Sequence, residues 1–324
     1  MSSLSFLPVV QQHLTRYGIT AYTVLGNIGL LINIAIFSQP AHRRNPCSLL
    51  ILSTSSCAWI GLNIAIIPVL YALGNPNPVT SSYVFCQLQF YLRHSINQMM
   101  RTFFILACAD RYAISSQHPR IRSLSRYKVV IRVIPCVILF WLWVAIFPTA
   151  LNTLANGRCA SRLGLNAMLV SIYILIVLGI VPLLCLLTFS VLLTINLKQM
   201  RSRVQAATNG NQPLRKRDQD LVRMLLVEIA FYISTTIPLT IMLVYRAFTQ
   251  NVTKSSDTQL IESFVNYFTS QFLLYANNAV SFWIYVCASR SYRLQVKKWI
   301  VNVYEWATRR GVRTIEATST VGTG

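Results

Sequence analysis

Long apolar stretches dominate the sequence, and they constrain its fold more than any other feature. Because the hydrocarbon core of a bilayer is about 30 Å thick and a helix rises about 1.5 Å per residue, roughly 20 apolar residues are enough to cross it. Seven stretches meet this requirement, near 19–38, 48–72, 87–111, 129–151, 167–196, 220–246 and 261–287. The sequence therefore predicts an all-α membrane protein, a bundle of seven transmembrane helices.

The composition supports this fold class and argues against two others. Apolar residues make up 54% of the chain and charged residues only 11%, whereas soluble proteins average about 25% charged residues. A chain this hydrophobic is also not typical of a disordered protein. The net charge of +21 would suggest nucleic acid if taken alone, but the basic residues alternate with long uncharged stretches, so we expect no nucleic-acid partner.

The basic residues are distributed unevenly between the two sides of the predicted bundle. Of the 29 Lys and Arg residues, 22 fall on one side and six on the other. Segments rich in Lys and Arg stay in the cytoplasm, so we expect a multi-pass protein of the plasma membrane with an extracellular N-terminus at 1–18, a seven-helix domain at 19–287 and a cytoplasmic tail at 307–324. The triplet Asn251-Val252-Thr253 falls in an outer loop and predicts glycosylation of Asn251.

The segment at 288–306 has a different pattern from the spans. Its apolar residues fall on one helical face and its basic residues lie elsewhere, which predicts a short amphipathic eighth helix on the inner leaflet, in contact with membrane lipid. The alternative is a solvated basic tail. The apolar face comprises Tyr292, Val296, Trp299, Ile300 and Val303.

Several short motifs occur at matching places along the predicted helices. Asp110-Arg111-Tyr112 ends the third helix, and Cys86 lies 25 residues before Arg111. Further landmarks are Gly26-Asn27, Pro182, Pro238 and Tyr285. On these residues the chain, from about Gly26 to Trp306, resembles a rhodopsin-like (class A) G-protein-coupled receptor. The resemblance implies an extracellular ligand, a heterotrimeric G protein as the partner, and arrestin as a further partner.

The chain also departs from the pattern of that family. The second helix contains no acidic residue, so sodium modulation is not expected. The seventh helix reads Ser281-Phe282-Trp283-Ile284-Tyr285 where the family has Asn-Pro-x-x-Tyr. We interpret these differences as marks of a divergent invertebrate branch, close either to neuropeptide receptors of the FMRFamide type or to chemosensory receptors.

The resemblance implies a switch at the inner end of the bundle and a disulfide at the outer end. The switch comprises Asp110, Arg111, Tyr112, Asp218 and Tyr285, and within it Arg111 and Asp218 form a resting-state latch. Alternatively, Arg111 is one more positive charge on the inner side. The disulfide joins Cys86 to Cys159, the only cysteines placed at the outer surface, where oxidising conditions permit it; the alternative is two free thiols.

The resemblance also implies a ligand site in the outer half of the bundle. Arg93 stands where amine receptors of this family place an aspartate, which disfavours a cationic monoamine. The predicted lining offers hydrogen-bond donors for a carboxylate, an amide or peptide carbonyls. The alternative is that some of these side chains only pack or extend toward the interface. The predicted residues are Arg93, Asn97, Thr240, Arg246, Gln271 and Tyr275.

Two charged residues fall deep inside predicted helices. Each costs at least about 2.5–3.5 kcal/mol in a bilayer and therefore needs a partner or water. Arg101 lies ten residues before Arg111, and Glu228 lies ten residues after Asp218, so each lies about 15 Å further into the membrane than its latch residue. If Arg111 and Asp218 are level, so are Arg101 and Glu228. The equal depth predicts an ion pair between Arg101 and Glu228, with separate contacts to water or backbone as the alternative.

Other functional classes have less support. The four histidines are scattered and no metal-binding or catalytic motif is present, so we expect no enzyme and no metal site. We also expect no cofactor, and no lysine lies between 263 and 289 to bind retinal. A transporter or channel is the serious alternative, but it would predict internal repeats and glycine-broken half-helices, and the sequence has neither.

Overall fold

The structure is a computed structural model that describes residues 6–321 apart from 117, 156–157, 162–163, 207–212 and 250–251. Long helices account for most of these residues, and three of them contain a π-helical segment. The helices are α1 (Leu7–His13, π-helical Leu14–Ile19, Thr20–Phe37), α2 (Pro46–Tyr71), α3 (Tyr83–Ser115), α4 (Tyr127–Val144), α5 (Leu165–Ile174, π-helical Leu175–Ile180, Val181–Ala206), α6 (Pro213–Thr249), α7 (Ser256–Tyr267, π-helical Phe268–Leu273, Leu274–Ala288) and α8 (Arg290–Val321).

Short elements connect the long helices and distinguish the two ends of the bundle. An antiparallel hairpin of β1 (Asn152–Ala155) and β2 (Arg158–Ser161) pairs Leu154 with Cys159. We call the end of the bundle that carries it the hairpin end, and the opposite end, which carries Arg111, the basic end. The short helices are Pro40–Arg43, Pro78–Ser81, Pro119–Arg122, the 3-10 turn Ser123–Ser125 and Ile146–Ala150.

Asparagine and proline together define where several helices begin. Asn45 caps α2 by accepting a backbone N–H with its side chain at 3.1 Å, and Pro46 takes the first helical position. Asn77 caps the short helix Pro78–Ser81 in the same way at 3.0 Å. Proline suits the first position because the N–H that it lacks would have no helical partner there.

Five stretches of the described chain are long and apolar enough to cross a membrane. A sixth is added if Ser256–Ala288 and Arg290–Trp306, which meet at 104°, are counted as one broken span. The chain is therefore a helical protein with five or six candidate spans, and the count of seven stays a prediction. The five are Leu7–Phe37, Pro46–Tyr71, Tyr127–Ala150, Leu165–Ile195 and Asp220–Arg246.

The helix α3 is not among these candidates, although it has 33 residues. The reason is its composition, since many of its side chains are polar. These side chains are buried inside the bundle, where α3 packs against α2, α4 and α5. The peripheral helix α4, in contrast, buries only Val130 within Tyr127–Val144 and exposes an apolar surface. The buried polar residues of α3 are Gln89, His94, Ser95, Asn97, Gln98, Arg101, Asp110 and Arg111.

The start of α8 is anchored to the basic end of the bundle. Tyr292 is buried, donates its hydroxyl to Asn33 of α1, and contacts the rings of Phe37 and Tyr285 at 6.0 and 5.7 Å between centroids. Val296 and Trp299, which belong to the predicted apolar face, pack against the same cluster. The helix continues to Val321, past the predicted end at 306.

Two glycines allow α1 to lie unusually close to α7. A Cβ atom added to Gly26 would lie 2.5 Å from the Cβ of Ala279, and one added to Gly29 would lie 2.7 Å from the Cβ of Phe282. Real side chains do not tolerate such distances, so these residues define the separation of the two helices.

We predict that Gly26→Ala destabilises the bundle because α1 and α7 must separate to admit the methyl group. The expected cost is about 1–3 kcal/mol, measured as a lower thermal midpoint of the purified protein by tryptophan fluorescence. Gly74→Ala is the control, since an added Cβ there meets nothing within 4 Å. An unchanged midpoint for Gly26→Ala would contradict the close contact between the helices.

Candidate functional site

A cavity of about 380 Å³ lies between α3, α5, α6 and α7 at the hairpin end. Its size is typical of a site for a small ligand. Five of the six predicted ligand-binding residues line it, namely Arg93, Asn97, Arg246, Gln271 and Tyr275. Hairpin residues Asn152 and Cys159 also contribute, and the other lining residues are Phe90, His94, Arg101, Val170, Ile174, Leu178, Leu239, Leu243, Asn266, Ser270 and Leu274.

Thr240, the sixth predicted residue, is not part of the lining. It faces α5, where its side chain lies 3.2 Å from the position of a Cβ on Gly179, and its hydroxyl donates to the backbone carbonyl of Thr236 at 3.1 Å. Thr240 therefore does not join the other five residues at the cavity, because α6 turns it toward Gly179 of α5.

Three residues of α3 follow one another along the cavity wall. Arg93, Asn97 and Arg101 are spaced by four residues and therefore lie on one helical face. Asn97 is held in place, since its Nδ2 donates to the carbonyl of Arg93 at 2.7 Å and its Oδ1 accepts from Asn278 at 2.8 Å. The four-residue spacing was the sequence signal that could have added Arg101 to the ligand site.

The cavity combines positive charge with apolar walls. Arg93, Arg101 and Arg246 line it, and none of its described lining residues is Asp or Glu. Arg246 donates to Asn266 at 2.9 Å. The apolar walls come mainly from α5 and α6 through Val170, Ile174, Leu178, Leu239 and Leu243. This arrangement suits an amphipathic or anionic ligand and repels a cation.

The predicted disulfide between Cys86 and Cys159 is confirmed. It joins the start of α3 to β2, with 5.8 Å between the two Cα atoms and 73 residues between the cysteines. A second contact supports it, since Gln87 donates to the backbone carbonyl of Asn152 at 2.6 Å. Together they hold the hairpin against the cavity.

The predicted ion pair between Arg101 and Glu228 is wrong. The Nη1 of Arg101 donates to Gln98 at 2.8 Å, whereas Glu228 accepts from the hydroxyl of Tyr285 at 2.7 Å. Both residues lie in the described part of the chain, and no ion pair joins them. Equal depth fixes only the position along the membrane normal, and ten residues also rotate each helix away from its previous face. As a result, Arg101 faces the cavity and Glu228 faces α7.

The basic end contains a buried ionic cluster around Arg111. Arg111 forms a salt bridge with the adjacent Asp110 at 2.7 Å and donates to Asn45 at 3.4 Å. Asp110 also accepts from the hydroxyl of Ser125. Both members of the salt bridge are buried. The cluster therefore joins α3 to the start of α2 through Asn45 and to the 3-10 turn through Ser125.

The other predicted residues of the switch have different positions. Tyr112 contacts Phe189 of α5 with 6.4 Å between ring centroids, and Tyr285 is buried beside Phe37 and Tyr292. The side chain of Asp218 lies outside the described part of the chain, so its latch with Arg111 stays a prediction. The same is true of glycosylation at Asn251, which is not among the described residues.

Comparison with models of known protein families finds none that matches the chain, and a search of curated proteins finds no similar sequence. The functional conclusion therefore depends on the residues and their arrangement.

We predict that Cys86→Ser lowers stability by about 2–4 kcal/mol, because the disulfide closes a long loop. The measurement is the thermal midpoint under non-reducing conditions, and a reducing agent should lower the midpoint of the wild type but not that of the variant. Cys136→Ser is the control, since Cys136 is an exposed free thiol. Equal midpoints for Cys86→Ser and the wild type would contradict a stabilising bond.

We predict that Glu228 and Tyr285 are energetically coupled, since they share a buried hydrogen bond. A double-mutant cycle of Glu228→Gln and Tyr285→Phe should give a coupling energy of about 0.5–3 kcal/mol in unfolding. The matched cycle of Glu228→Gln and Arg101→Gln should be additive within about 0.5 kcal/mol. Coupling in the second cycle but not in the first would restore the ion pair and refute the observed arrangement.

Proposed function

We propose that the chain is a seven-helix receptor of the rhodopsin-like G-protein-coupled type, which binds an extracellular ligand in the hairpin-end cavity and activates a heterotrimeric G protein at the basic end. The observation that carries the proposal is the layout of α3. Its residues Arg93 and Asn97 line the cavity, and Asp110 and Arg111 form the buried cluster at the opposite end. Eighteen residues separate Arg93 from Arg111, which corresponds to about 27 Å.

The proposed count of seven spans requires α3 and α7 to cross the membrane. Tyr83–Ser115 is 33 residues long, or about 50 Å, which exceeds the hydrocarbon thickness. A helix whose polar side chains face its neighbours does not need an apolar composition, because lipid does not contact those side chains. The polar residues of α3 are buried in this way, which supports counting it as a span.

The proposed orientation places the hairpin end outside the cell. The basic end carries most of the Lys and Arg residues, as expected for a cytoplasmic surface. The disulfide between Cys86 and Cys159 lies at the hairpin end, and disulfides persist in an oxidising compartment. Both features favour a plasma-membrane protein with an extracellular N-terminus.

The cavity suggests how a ligand would act. Four helices line it, so a ligand that prefers one arrangement of α6 against α3 shifts the equilibrium between two conformations of the bundle. Movement of α6 at the basic end would then open a cleft beside Arg111 for the G protein. The three arginines of the lining favour a peptide or a small molecule with an acidic or amide group over a monoamine.

The proposal predicts that Arg111→Ala abolishes ligand-stimulated guanine-nucleotide exchange while it leaves ligand binding intact, because Arg111 is distant from the cavity. The assay uses membranes that contain the receptor and a G protein, with a ligand screen that begins with peptides. Arg122→Ala is the control, since Arg122 lies at the same end and is exposed. A ligand that evokes ion current or substrate flux without exchange would contradict the proposal and favour a transporter or channel.

A further inference from the structure

Arg101 occupies an unusual place in the cavity. It is the lining residue of α3 that lies furthest from Cys86, eight residues or about 12 Å beyond Arg93. Its side chain is only 3% exposed. The guanidinium therefore lies at the deep end of the cavity, away from the hairpin.

No acidic side chain among the described residues neutralises the charge of Arg101. Its Nη1 donates to the neutral Oε1 of Gln98, and its Nε has no hydrogen-bond partner within the protein. No ion pair joins Arg101 to a described Asp or Glu, and the closest candidate by depth, Glu228, is bound to Tyr285. A buried guanidinium in this state is costly. Such a cost is typical of a residue that is kept for binding rather than for stability.

Two polar neighbours of Arg101 on α3 already have partners. The side-chain amide of Gln98 donates to the carbonyl of Val177 at 3.3 Å, and Asn97 is fixed by Asn278. A guanidinium whose Nε has no partner thus lies at the end of a cavity whose α5 and α6 walls are apolar. The planar guanidinium of arginine can donate two parallel hydrogen bonds to the two oxygens of a carboxylate.

We propose that Arg101 binds the carboxylate of a ligand with an apolar body, so that the ligand of this receptor is an amphipathic carboxylic acid that enters the cavity with its acid group first. The inference rests on the proposed function in taking the cavity as the ligand site, but it does not depend on G-protein coupling. Arg93 and Arg246 lie closer to the mouth and attract the acid as it approaches. The carboxylate fits better than a dianionic phosphate, since one buried guanidinium neutralises one charge.

The test is a fluorescence titration of the purified full-length protein in nanodiscs with a dansylated undecanoic acid and with its methyl ester. Empty nanodiscs correct for partition into lipid. The wild type should bind the acid at least about tenfold more tightly than the ester, as expected for a charge-assisted hydrogen bond. Equal affinity of the wild type for acid and ester would overturn the proposal without any variant, and so would tighter binding of the corresponding alkyl phosphate.

Variants then assign the preference to a residue. Arg101→Gln should remove the difference between acid and ester, whereas Arg16→Gln, which alters an exposed arginine of α1, should preserve it. Arg101→Lys keeps the charge and should retain a preference for the acid. Loss of the preference in Arg93→Gln together with its retention in Arg101→Gln would overturn the assignment to Arg101.

Stability provides an independent readout. Arg101→Gln should melt at the same temperature as the unliganded wild type or higher, because the substitution removes a buried charge that has no ionic partner. The acid should raise the melting temperature of the wild type but not that of the variant. A variant that fails to fold would contradict the binding role of Arg101. Selective acid binding without nucleotide exchange would refute the receptor proposal and leave this inference intact.

Discussion

The burial of α3 is the constraint on which the rest of the structure depends. A helix that carries Arg101, Asp110 and Arg111 is costly in contact with hydrocarbon, so the remaining helices must surround it. The helices α2, α4 and α5 pack against it, and α4 turns an apolar surface outward. The bundle therefore has a polar centre and an apolar perimeter. This distribution explains why the outer helices are apolar enough to cross a membrane by composition alone and α3 is not.

The sequence predicted the helices well where chemistry marks both ends. The predicted span at 48–72 closely matches Pro46–Tyr71, because the Asn45 cap precedes it and a segment rich in proline and asparagine follows it. The predicted span at 220–246 lies inside the longer helix Pro213–Thr249. Hydropathy indicates only the part of a helix that suits hydrocarbon, so it contains no signal for turns that continue beyond it.

The sequence predicted the level of the site residues along the bundle, but not the direction in which each helix turns its side chains. Five of the six predicted cavity residues share the expected level, and the disulfide was placed correctly. The position of Thr240 and the partners of Arg101 and Glu228 differ from the prediction. The reason is that spacing within one helix does not define how that helix is turned toward its neighbours. The π-helical segments Leu175–Ile180 and Phe268–Leu273 add to the difficulty, since each changes the rotation of the residues that follow.

Irregular helical segments and incompletely bonded side chains are both present at the cavity. The segments Leu175–Ile180 and Phe268–Leu273 both contribute lining residues, and π-helical turns often occur at functional sites. Arg101 Nε and Gln271 Oε1 are buried there without a hydrogen-bond partner from the protein. At the basic end, Asp110 and Arg111 bond to each other and to neighbouring segments, while Asn33 Nδ2 and Ser48 Oγ are buried without a partner. A ligand that bonds to Arg101 Nε or Gln271 Oε1 satisfies a group that the protein alone leaves unpaired. In the proposed receptor, such bonds would favour the arrangement of the bundle that forms them.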